Sequence, residues 1–123
     1  MSISKEEYNE KLKFYDKLIA TNSNFERKGK TMPYTSANGY MFTLFNKAGE
    51  IGIRLSKESQ TRFMQEHDTT IYKSYGAVMR GYVLIPERMY DDLDLLAKYV
   101  QESYEYVMSL EPKQCTKLSY RSA

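Results

Sequence analysis

An α+β domain, with helices packed on one antiparallel sheet, is the fold class that the sequence predicts, and three observations predict it. Residues 4–19 repeat apolar side chains at helical spacing behind a Ser-x-x-Glu start; residues 40–55 read as two short strands around a glycine turn; and the run after Pro86 is a long amphipathic helix. The expected order is helix, three strands, helix, one or two strands, helix. It fills a single domain over residues 1–112, followed by a flexible C-terminal tail over 113–123. A chain of 123 residues holds one core, since a domain of this size buries about two thirds of the surface its unfolded chain exposes.

Ser4 opens the first helix, because its hydroxyl can accept the amide of residue 7 while Glu7 reaches back to the Ser4 amide. Tyr8, Leu12, Tyr15, Leu18 and Ile19 then share one face, Glu10, Lys13 and Lys17 point to water, and the TNSN run closes the helix. Phe14 falls off that stripe. Residues 25–32, FERKGKTM, read as a short edge strand whose charges discourage pairing with other chains, ended by Pro33, which has no amide hydrogen. Residues 33–39 read as a loop built from Ser36, Asn38 and Gly39.

Residues 40–46 and 51–55 flank the KAGE turn as a hairpin. In its second strand Ile51, Ile53 and Leu55 point to the core and Arg54 points away. Its first strand is apolar on both sides, the pattern of a strand covered on both faces, and alternation does not say which face lies inside. Ser56 caps a short polar helix ending near His67, with Phe63 and Ile71 toward its buried side. Residues 78–85, VMRGYVLI, make the strongest strand, with Met79, Gly81, Val83 and Ile85 opposite Val78, Arg80, Tyr82 and Leu84. From Pro86 to Pro112 the chain reads as one long helix, with Asp91, Asp92 and Asp94 near its positive end and Leu93, Leu96, Val100, Tyr104 and Val107 as its buried stripe.

Composition narrows the function classes. The chain is 41% hydrophobic and 28% charged with a net charge of +2, much milder than the footprint of a dedicated nucleic-acid domain. Its N-terminal residues are charged and no apolar run approaches bilayer length, so the expected location is the cytoplasm, with no membrane partner. Cys115 is the only cysteine, which excludes an internal disulfide or a cysteine zinc cluster. Phosphate-cradling glycine loops and nucleophile elbows do not occur. His67-Asp68 reads as a polar helix end and the Asp91 to Asp94 cluster as a solvated helix start, so no catalytic residue, cofactor or metal is expected.

The best candidate surface lies on the sheet. With the isoleucines turned toward helices, Arg54 faces away, and Arg80 and Tyr82 share that outer face in a neighbouring strand; Met41 or Phe45 joins them, and Lys30 and Tyr34 line the rim. Arginine beside tyrosine stacks planar groups and holds carboxylates or phosphates with paired donors. The expected function is a non-enzymatic binding or regulatory domain that engages a protein or peptide partner, with a homodimer through the exposed face or edge as the competing partner. Two alternatives remain: nucleic-acid binding by the same patch with Lys28 and Lys30, and a small-molecule sensor or enzyme with a pocket between residues 32–38 and the long helix. Ordinary surface charge, with a third helix over the face, is the bland reading.

Met32 before the turn, Gly39 leading into an aromatic strand, the Gly49 hairpin, Arg54-Leu55, Tyr82 through Pro86 and the acidic start of the last helix together resemble the TfoX N-terminal-domain family of small bacterial proteins, over residues 5–110. Members usually carry Met-Phe-Gly where this chain has Met32, Pro33 and Tyr34, so no role that needs that glycine carries over. The resemblance implies a fold similar to type III secretion chaperones and a link to competence regulation, and it implies no catalytic residues.

Overall fold

A computed structural model of the chain describes residues 3–74 and 76–112; the tail expected over 113–123 lies outside the described residues. Ser4 caps the first helix as its sequence requires, its Oγ accepting the Glu7 amide at 3.0 Å. The elements are α1 (Lys5–Ala20), β1 (Tyr34–Ala37), β2 (Tyr40–Phe45), β3 (Ile51–Arg54), α2 (Lys57–Glu66), β4 (Ile71–Ser74), β5 (Ala77–Leu84), a 3-10 turn (Glu87–Asp91) and α3 (Leu93–Met108). The strands form one sheet in the order β1-β2-β3-β5-β4, with every neighbouring pair antiparallel. This is the expected α+β architecture, with two strands after α2. None of the helices in the described residues is long and apolar enough to cross a membrane.

The first strand is not where the charge pattern placed it. Within residues 25–32 only Lys28 pairs, in an isolated bridge to Tyr34, because Arg27 turns its guanidinium onto Asp16 at 2.9 Å and onto the Gly29 carbonyl at 2.7 Å and folds the run into a turn. The expected loop holds β1 instead. Pro33 lacks a donor, but its carbonyl accepts the Phe45 amide at 3.0 Å. Asn38 and Gly39 both take positive φ, 56° and 85°, the two-residue turn that joins antiparallel strands with the right twist. The last helix also starts late: Asp92 leaves helical geometry and its carboxylate accepts the Leu95 amide at 3.2 Å, so α3 begins after a 3-10 turn rather than at Pro86.

One face of the sheet carries the main core, to which Tyr15 of α1, Phe63 of α2 and Leu96 of α3 all contribute, so all three helices lie on that side. Ile51, Ile53 and Leu55 point into it as expected. The ambiguous strand is resolved by a bulge. Between Thr35↔Thr43 and Ser36↔Met41 the register slips by one residue, which turns Phe42 and Thr43 toward the helices together. Both are fully buried. The backbone groups disturbed by the bulge find side-chain partners: Ser103 donates to the Phe42 carbonyl at 3.2 Å and Tyr82 to that of Met41 at 2.9 Å. Thr43 in turn shares its hydroxyl with Tyr15 and Thr35, each at 2.7 Å, which satisfies three polar groups in an otherwise apolar core.

The opposite face carries a second, smaller cluster of Leu44, Tyr72 and Tyr82, packed against Met32, Tyr34, Met79 and Leu84. Its cover is the outer end of the β4–β5 hairpin. The register jumps from Ile71↔Val83 to Lys73↔Val78, so residue 72 stands opposite residues 79–82, and Gly81 at φ 95° permits the bend. That break also upsets the alternation expected over 78–85, since Met79 joins the Tyr82 cluster. The hairpin end folds across the sheet: the Tyr72 ring lies on Gly52, its hydroxyl donates to the Glu50 carbonyl at 3.1 Å, and Asn46 donates to the Lys73 carbonyl at 3.0 Å.

A Cβ placed on Gly52 would meet the Tyr72 ring at 2.5 Å. Gly52→Ala is therefore expected to destabilise the domain by about 2 kcal/mol in urea unfolding, the usual scale of overpacking, with the loss much reduced when Tyr72 is also shortened to Ala. Additive effects would show that the ring does not rest there. Burial also drives the Tyr15 and Tyr72 phenols well above their ordinary value. A phenol raised on folding contributes fully below its unfolded value of about 10 and loses that contribution as pH climbs above it. Unfolding free energy should hold steady to about pH 9 and fall beyond about pH 10, with a shallower fall in Tyr72→Phe; a flat profile above that point would contradict the burial.

Candidate binding face

Arg54 ends β3 and is paired in register with Tyr82 of β5, which brings two of the expected site residues together on the face away from the helices. The guanidinium lies 5.3 Å over the Tyr40 ring, and its Nε would stand 3.8 Å from a Cβ at Gly81. Glycine there leaves room for the arginine to lie along the bend. Arg80 precedes that glycine and is exposed. No carboxylate among the described residues comes within ion-pair distance of Arg54, whereas Arg27 holds Asp16 at 2.9 Å and Lys11 holds Glu87 at 2.5 Å.

Tyr82 itself cannot serve as a contact residue. It is 5% exposed, its hydroxyl is spent on the Met41 carbonyl, and burial raises its phenol against the opposing pull of Arg54. Tyr34 is half-buried against the same cluster. Lys30 sits in the exposed turn before β1, and nothing joins it to Arg54; Lys28 reaches the Ser36 hydroxyl at 3.5 Å. What remains of the expected site is Arg54 beside Gly81 and the exposed Arg80 that precedes that glycine. Arg80 lies on the side of β5 away from Met79 and the Tyr82 cluster, rather than beside Tyr82 as expected, and Met41 and Val78 are exposed at 36% and 55%. Phe45, the alternative to Met41, is fully buried in the main core.

Charge on the sheet is of one sign. The five strands carry Arg54, Lys73 and Arg80 and no Asp or Glu, and none occurs in residues 27–49 or 69–86. The charged side chains of the strands themselves are therefore all cationic, while the Glu50 carboxylate of the β2–β3 turn is held by Asn46 next to the Lys73 carbonyl.

Other expected positions have structural work. Asn38 donates to the Val107 and Leu110 carbonyls at 2.8 and 2.9 Å, and Tyr40 to that of Glu111 at 2.7 Å, so residues 37–40 clamp the end of α3 where a ligand pocket was expected. His67 ends α2 and its Nε2 meets the Tyr99 hydroxyl at 2.9 Å; the described residues contain no group of His, Cys, Asp and Glu able to hold a metal. Phe14 stacks on Tyr90 at 4.6 Å and borders a cleft of 460 Å³ shared with Glu7, Glu10, Lys11 and Glu87.

Two participants escaped the sequence reading. Tyr40 supplies the ring under Arg54, a partnership between residues on different strands that alternation within one strand cannot reveal. Tyr72 supplies the cover over Gly52; a glycine between two buried isoleucines was the available signal, since such a gap marks a close approach. No family model, curated protein or solved structure matches the chain.

Proposed function

We propose that the chain is a non-catalytic binding domain, regulatory in role, that engages a protein or peptide partner through the sheet face around Arg54 and Arg80. The observation that carries this reading is Arg54 itself. A half-buried guanidinium presents five donors in a fixed fork, and here it faces a ring and a buried phenol with no carboxylate among the described residues to balance it. Burying charge without a counter-ion is unfavourable, and a partner's carboxylate or backbone carbonyls would supply what the domain does not. The regulatory role rests on the resemblance of the sequence to the TfoX N-terminal-domain family.

The test is a pulldown from lysate of the encoding organism, with the wild-type chain and Arg54→Ala/Arg80→Ala as baits. The double variant should keep its melting temperature and recover on the order of tenfold less of the captured protein, the scale expected when central arginines of an interface are removed. Equal capture, or a double variant that unfolds, would remove the reading.

A further inference from the structure

The geometry points to an acidic peptide segment with apolar side chains as the occupant of this face, an assignment that rests on the binding reading above. Lys73 and Val78 are direct partners across β4 and β5 and both are exposed, on the side of the hairpin opposite the buried Tyr72 and Ser74. Arg80 continues that side two residues on. Arg54 then lies along Gly81, and Met41, whose carbonyl accepts from the Tyr82 hydroxyl, is the exposed apolar side chain of β2. Lys73, Arg80 and Arg54 are thus the cations, and Val78 and Met41 the exposed apolar side chains, of four strands that bear no carboxylate. Two guanidinium forks and an ammonium, with exposed apolar side chains on the same strands, match an anionic chain that also offers apolar side chains.

A single-stranded nucleic acid fits this surface less well. Binding of that kind needs open aromatic faces on which bases stack. Tyr72 and Tyr82 are buried, Tyr34 packs against them, and the Tyr40 ring already carries the Arg54 guanidinium. The surface offers cations and aliphatic side chains, which suits carboxylates beside leucines.

The test is fluorescence anisotropy with a labelled peptide repeating Glu-Ser-Leu-Asp. Three comparison probes are a version with lysine at the acidic positions, a version with serine for leucine, and an oligothymidine of equal charge. The acidic, leucine-bearing peptide should bind, weaken as salt rises, and lose about tenfold in affinity both in Arg80→Glu and when either its charges or its leucines are changed. Arg80 is exposed, so that variant keeps the fold even where a change at Arg54 does not. Absence of peptide binding, indifference to Arg80→Glu, or tighter binding of the oligothymidine would overturn the assignment. If the peptide fails while the pulldown still depends on Arg54 and Arg80, only the acidic occupant is lost; if the pulldown is also indifferent, the binding reading falls with it.

Discussion

The aromatic ring of Tyr72 rests on the one position of β3 that has no side chain, and the arrangement of the outer face follows from that contact. An antiparallel sheet with helices on one side leaves its other side to water unless something folds over it. Here the hairpin that ends the sheet bends back, and the bend needs a flat, empty place for a large ring to land. Gly52 provides the place and Gly81 provides the bend. Tyr82 and Leu44 are buried as a result, and the polar groups of the crossing segment are answered by Glu50 and Asn46. Ser74 Oγ is the buried side-chain polar atom left without a partner among the described residues.

Because the hairpin covers only part of the face, the arginine beyond its margin remains accessible. Arg54 stands where β3 stops, beside the bend and over Tyr40. A helix laid over the whole face would have buried it or forced it into an ion pair. The main core on the other side needs no such compromise: the Phe42–Thr43 bulge admits two consecutive residues, and Tyr15, Thr35 and Thr43 answer one another's hydroxyls. The domain therefore combines a closed helical side with a partly covered basic side, and the acidic residues stay off the strands.

Elements governed by local chemistry were legible in the sequence. The Ser4 and Ser56 caps, the Ile51, Ile53, Leu55 alternation and the strand before Pro86 all depend on neighbours in the chain, and they stand where the pattern put them. The first strand was misplaced because a charged run resembles an edge, whereas the pairing was decided by Asn38-Gly39, a turn signal read only as part of a loop. The candidate site was legible by half. Turning Arg54 outward follows from the isoleucines, but the burial of Tyr82 does not, since its cover comes from a distant bend at Gly81 that period-two alternation cannot represent.

The most direct measurement is the proton NMR environment of Gly52. With the Tyr72 ring stacked on that backbone, the Gly52 Hα resonances should be shifted strongly upfield by the ring and show nuclear Overhauser contacts to the Tyr72 ring protons, and both features should vanish in Tyr72→Ala. Gly52 Hα resonances at ordinary strand positions, with no contact to that ring, would mean that the hairpin does not cross the face and that the basic side is not assembled as described.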